Sequence, residues 1–264
     1  MDTKQDPPAE TPPIRFAVAT ATVGDLKAAM RAGLRDTVAR PGLSLFFGLV
    51  YALLGALLIA GLLVFDQIWI VIAVAVGFPL VAPFLAVGLY EMSRRLAGGE
   101  AFSASDIFLV IFTQKRREFR WMSFVVLFVF WIWAYQIRVV LALTIHYKHF
   151  RSLEDLLVGV FTTSGGASFL LVGTLVGAFL ATVLYSVTVI AMPLLLDKEV
   201  DFVTAMITSV RTVLASPVVM LGWGAAVGAL TLLAIAPGLV GVIFVFPFLG
   251  HTTWHLYERL VSEN

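Results

Sequence analysis

The sequence predicts an all-α integral membrane protein: six transmembrane helices in three hairpin repeats, each preceded by a cytoplasmic amphipathic helix. Three observations lead there. Of the 264 residues, 60% are hydrophobic and 13% charged, against about 45–50% and about 25% in soluble proteins. Six apolar stretches each approach the roughly 20 residues that cross about 30 Å of hydrocarbon. The chain also matches itself, without gaps, at a constant offset of 176 positions, with 12 identities over the 36 positions from Asp25 to Ala60. Asp25, Met30, Arg35, Pro41 and Gly48 recur as Asp201, Met206, Arg211, Pro217 and Gly224.

Residues 1–21 begin polar and proline-rich and are expected to form a disordered cytoplasmic tail. The membrane domain then fills 22–264. From Thr22 to Arg40, Leu26, Ala29, Met30, Gly33, Leu34 and Val38 share one helical face, with Lys27, Arg31, Arg35 and Arg40 elsewhere. Thr22, three residues before Asp25, predicts a capping box. Such a helix lies in the plane of an anionic leaflet.

The six segments run about Gly42–Val64, Ile68–Tyr90, Trp121–Ile145, Ala167–Leu195, Pro217–Ile235 and Gly238–Tyr257. Pro237 supplies the turn between the last two. Asp106 and Arg116 repeat the ten-residue spacing of Asp25 and Arg35, and Ser103 stands where Thr22 does. The units are therefore about 22–97, 103–196 and 199–260. The second helix of each hairpin carries proline in its span: Pro79 and Pro83, Pro193, and Pro247. Proline removes a backbone hydrogen bond and kinks a helix, so a splayed bundle is expected.

Orientation follows from Lys and Arg. With the N-terminus inside, only Arg138, Lys148 and Arg151 of the 18 basic residues fall outside. Both termini are expected in the cytoplasm, and the protein in the bacterial inner membrane. The basic run Lys115, Arg116, Arg117 and Arg120 then meets anionic lipid rather than nucleic acid.

Few residues suggest chemistry. With no cysteine, disulfides and thiolate sites are excluded. No Ser/His/Asp arrangement can be placed on one surface from the sequence, no phosphate-cradling glycine loop or HExxH stretch is present, and no carboxylate falls in mid-membrane. The chain is expected not to be an enzyme, and no cofactor is assigned. His251 and His255, one turn apart, offer two readings: imidazoles on one metal or haem-like ligand, or residues near the cytoplasmic end of a helix whose Trp254 and Tyr257 form an aromatic belt. Glu258 is the one carboxylate evident beside them. Arg138 reads as an interfacial arginine that snorkels. His146 and His149 share an external loop with Glu154 and Asp155, and no metal site is assigned there. Gly173 and Gly177, and again Gly224 and Gly228, are small-xxx-small pairs for close helix packing or a partner.

The stretches Ala82-Pro83-Phe84, Val87-Gly88-Leu89-Tyr90-Glu91, Phe128–Trp133, Asp201–Met206 and Gly250–Tyr257 resemble a family of proteobacterial integral membrane proteins numbered 2189 among the domains of unknown function. Some of its members carry the label of cytochrome c oxidase components. That resemblance implies at most an association with respiratory membranes. A haem–copper core needs about six histidine ligands and this chain has four histidines, so it is not a catalytic oxidase subunit. The expected role is an accessory, scaffolding or assembly protein, with respiratory subunits as the partners to look for. A small transporter or channel lined by Gln136, Arg138, Thr174, Tyr185, Ser186 or Thr188 is one alternative. A metal- or haem-binding protein is another.

Overall fold

The computed structural model describes residues 16–64, 85–113, 117–145 and 153–263, and nearly all of its regular structure is helical. Pro79, Pro83, Arg116, His146 and His149, with most of the second predicted segment, lie outside the described residues.

The N-terminal stretch is a built part of the protein from Phe16 onward, not a tail. Strand β1 (Phe16–Val18) pairs antiparallel with β2 (Val261–Glu263), Val18 facing Val261. The Ala19 amide extends the pairing by donating to the Leu260 carbonyl at 2.9 Å. Ala21 is buried, and its amide donates to Ser216 Oγ at 2.7 Å. Two ends of the chain remote in sequence are thereby stitched to one face of the bundle.

Helix α1 (Val23–Ala39) starts with the expected capping box: Thr22 Oγ1 accepts from the Asp25 amide, and the Asp25 carboxylate accepts from Thr22 N–H. Those bonds hold the Asp25 carboxyl below the usual carboxylate range. Thr22→Ala is expected to cost about 1 kcal/mol, read from unfolding in detergent. Only part of the apolar face predicted for α1 packs on protein. Ala29 and Gly33 are buried, but Leu34 and Val38 are 56% and 67% exposed, free to touch lipid. The third buried residue is the polar Asp36.

After a one-residue break the chain continues as α2 (Pro41–Val64). The same break recurs 176 positions on, where α9 (Phe202–Ala215) gives way to α10 (Pro217–Ile235). Proline suits the first turn of a helix because its missing N–H has no partner there anyway. Burial at two pairs of aligned positions is alike. Ala29 and Ala205 are both fully buried, and Phe47 and Trp223 fill equivalent places. Helices α1 and α2 pack along α11 (Val242–Leu260), whereas α9 packs on α7 (Ser164–Thr188) and α8 (Ala191–Asp197). One detail departs from the repeat: Asp25 is the third residue of α1, but Asp201 is itself the cap of α9, taking the Thr204 amide at 2.9 Å.

Helix α3 covers 85–97. Helix α4 (Ala104–Thr113) opens on Ser103 and Asp106, joined at 2.7 Å as expected. Helix α5 (Arg117–Thr144) is long, and a short helix α6 (Leu153–Thr162) precedes α7. The fourth predicted segment is broken at residues 189–190 into α7 and α8. Pro193 lacks the N–H that would reach Val189. Next to that gap Ser209 Oγ inserts itself, donating to Ser186 C=O at 2.7 Å and accepting from Ile190 N–H at 3.1 Å. This is the insertion that bends helices. Between α10 and α11 the chain turns at Ala236–Gly241, with Gly238 and Leu239 at φ of 72° and 71°.

Four helical stretches among the described residues are long and apolar enough to cross a membrane: Pro41–Gly61, Glu118–Thr144, Ser164–Asp197 and Pro217–Ile235. On α5, Trp121, Phe124, Phe128, Trp131 and Tyr135 recur every three or four residues and are all exposed. A continuous apolar stripe of that length faces lipid. Helix α11 is not among the four stretches, because its second half carries polar residues into the core.

Candidate functional site

The polar residues of α11 meet α1, α2 and α3 in a buried cluster of hydrogen bonds. His255 Nε2 lies 2.6 Å from Asp36 Oδ2 and its Nδ1 lies 2.9 Å from Glu258 Oε2. His251, one turn earlier, places Nδ1 at 2.7 Å from Ser93 Oγ on α3 and Nε2 at 3.2 Å from Ser44 Oγ on α2. Ser93 also lies near enough to Asp36 to help lower its carboxyl, so His255, Asp36, Ser93, His251 and Ser44 form one buried cluster. Asp36, Ser44, Ser93, His251 and His255 are all buried.

Local geometry explains how these groups come together. Glycine at 33 lets α1 touch α11 backbone to backbone: a Cβ there would sit 2.7 Å from the Thr252 nitrogen and 2.9 Å from its Cα. Asp36, three residues on, is then carried onto His255, three residues beyond Thr252. Gly48 does the same for α2, where a Cβ would come within 2.8 Å of Ile243 Cα. Close approach of this kind is the general use of small residues between membrane helices.

Burial alone would raise the Asp36 carboxyl. The His255 ring and the Ser93 hydroxyl outweigh it and hold the group below its ordinary value of 3.8. Ionised carboxylates only accept, so a ring held between two of them donates from both nitrogens and carries a positive charge. His251 faces two hydroxyls, each able to donate or accept, and needs no charge.

The structure brings His251 and His255 into one cluster, in which every ring nitrogen faces a hydroxyl or a carboxylate. Among the described residues no group of three or more His, Asp or Glu is arranged to hold a metal ion. The aromatic-belt reading is corrected. Trp254 is 1% exposed and Tyr257 3%, with Trp254 stacked on Tyr90 and the Tyr257 hydroxyl donating to Asp197 at 2.7 Å. They are core residues. Asp36, 219 positions from His255, was not singled out in the sequence.

The remaining candidates fall elsewhere. Arg116 lies outside the described residues, and Arg117 opens α5. Arg120 and Arg138 are exposed on that helix. Arg138 lies 21 positions after Arg117, about 31 Å along the helix, which sets it toward the opposite side of a bilayer. Gly173 and Gly177 line a groove of about 930 Å³ bounded by α5, α7 and α10, and Gly224 and Gly228 form its facing wall. A Cβ at Gly224 would sit 3.2 Å from the Tyr185 ring, whereas nothing lies within 4 Å of a Cβ at Gly173 or Gly228. Of the residues proposed to line a pore, Gln136, Thr174 and Tyr185 are in this groove; Arg138, Ser186 and Thr188 are not.

Comparison with known proteins agrees with the resemblance read from the sequence. No curated protein and no solved structure matches the chain. Residues 70–197 match the family model described as "Predicted integral membrane protein (DUF2189)". Over that stretch the chain is similar to this family of predicted integral membrane proteins.

Proposed function

We propose that the protein is a non-enzymatic accessory or assembly protein of the bacterial inner membrane, and that it receives a transmembrane helix of a partner in the groove between α5, α7 and α10. The groove is the observation that carries this reading. It is large, almost wholly apolar in its lining, and walled on both sides by glycines one turn apart. Close helix contact needs such walls. The side-chain oxygen of Gln136, which also lines the groove, is buried without a hydrogen-bond partner among the described residues. A donor on a partner helix would satisfy it, and an acyl chain would not. A subunit of the respiratory chain is the partner class that the family resemblance suggests.

The architecture that goes with this role is six spans in three hairpin units, with both termini cytoplasmic. Its support is the matched helix break at Pro41 and Pro217 and the pairing of β1 with β2, which puts both ends on one face. That face also bears Arg31, Arg35, Arg94, Arg95 and Arg259, as the positive-inside rule asks, and it rests against anionic lipid.

A Cβ at Gly173 or Gly228 meets nothing within 4 Å, so Gly173→Trp and Gly228→Trp can enter the groove, and their unfolding transitions check that the fold is kept. Photocrosslinking from position 174 in native membranes tests the occupant. The expected result is a crosslink to a membrane-spanning polypeptide that both tryptophan variants abolish. Crosslinks to lipid alone, or a polypeptide crosslink indifferent to both variants, would overturn the reading.

A further inference from the structure

A second cavity, of about 510 Å³, opens on the face that carries the two chain ends, directly over the buried cluster. Ala28, Ala32 and Ala97 keep it open because their side chains are too short to fill it. Arg31 and Arg35 stand on one side, one turn apart on α1. Arg259 stands on the other with Glu258 and His255.

The charges in this cavity are not matched. Three guanidiniums line it with a single carboxylate, Glu258, which is itself bonded to the His255 ring. Arg31 has no ion-pair partner among the described residues. Arg35 is 3.5 Å from Asp36, whose carboxylate is taken up by His255, and Arg259 reaches Asp25 only at 3.9 Å. Guanidinium is a planar fork of donors that matches the oxygens of a phosphate group. Forks from two helices, converging over a small-residue floor, can bind one phosphate from two directions.

We infer that Arg31, Arg35 and Arg259 form a binding site for a phosphate group, carried by a lipid headgroup or free in solution. The anion bridges α1 to α11 above the Asp36–His255 contact, so its binding couples to the packing of those helices. A lipid source rests on the orientation proposed above. A free phosphate source does not, so the two can fail separately.

The test uses the full chain in nanodiscs of pure phosphatidylcholine. Inorganic phosphate is titrated by calorimetry, and phosphatidylglycerol retained by the protein is counted by native mass spectrometry after exchange into mixed nanodiscs. Arg31→Gln with Arg35→Gln, and separately Arg259→Gln, should weaken whichever ligand binds by about tenfold or more. Their unfolding transitions in pure phosphatidylcholine, where no anionic lipid is present, report whether the fold is intact. Phosphate binding lost in the variants identifies a soluble anion. Phosphatidylglycerol retention lost in the variants, without phosphate binding, identifies the lipid. Binding of neither, or binding that both folded variants keep, overturns the site. Should the double variant fail to fold, Arg259→Gln and Arg31→Lys, which keeps the charge but loses the fork, carry the same comparison.

Discussion

Asp36→Ala is expected to destabilise the protein by about 3–5 kcal/mol, the usual cost of removing one partner from a buried ion pair. Three things are lost together. His255 keeps its charge demand but faces only Glu258, Ser93 loses the carboxylate beside it, and the link from α1 to α3 and α11 is cut. Asp36→Asn keeps the shape but not the charge, and should recover part of the loss. Asp36→Ala combined with His255→Ala should cost less than the sum of the two single changes, because the second removes the group that the first leaves stranded. Unfolding in mild detergent reads all four. The pH dependence has a definite sign. The Asp36 carboxyl is lower in the folded protein than its ordinary value of 3.8. Its contribution is therefore complete above about pH 4 and is lost as the pH falls through the folded value. Acid destabilisation below pH 4 should be shallower in Asp36→Asn than in the parent. Equal slopes would mean that Asp36 contributes nothing to it.

The elements legible in the sequence were those whose causes are local. Hydrophobic length marks the spans, proline after a break marks Pro41 and Pro217, and Thr22 with Asp25 or Ser103 with Asp106 marks a helix start three residues apart. The partners of His251 and His255 have no such signature. Their spacing put both rings on one face of α11, and Glu258 lies beside them there, but the other companions are on other helices, Asp36 and Ser44 more than 200 positions away. On α1, ranking residues by hydrophobicity admitted Leu34 and Val38 and passed over Asp36, yet Asp36 is inside and the other two are exposed. One clue was present. Ala29, Gly33 and Asp36 follow the four-then-three spacing of a helical stripe, and glycine in such a stripe marks a surface that another backbone approaches. A carboxylate on that stripe is the one most in need of a buried partner. The aromatic residues misled for a similar reason. Trp254 and Tyr257 near a helix end look like belt residues, but the same end is covered by α1, β1 and α8, so they became core.

Gly33→Val should have an effect of comparable size, on the order of 3 kcal/mol, and for a different reason. A Cβ at this position meets the nitrogen and Cα of Thr252 at 2.7 and 2.9 Å. These are backbone atoms in the middle of α11, so no rotamer change relieves the contact, and overpacking a fitted interface costs about 1–3 kcal/mol before any bond is lost. The helices must separate, and separation moves Asp36 away from His255, whose contact at 2.6 Å tolerates little displacement. The two costs are therefore coupled. In an Asp36→Asn background, where the charge pair is already gone, Gly33→Val should cost less than in the parent. Gly33→Ala, which adds the same Cβ with nothing beyond it, should cost less than Gly33→Val. Leu34→Ala, one position away on an exposed face, is the control and should change stability by no more than about 0.5 kcal/mol in detergent. If Gly33→Val unfolds at the same temperature as Leu34→Ala, then α1 does not press on α11 at this point, and glycine is not what brings the buried cluster together.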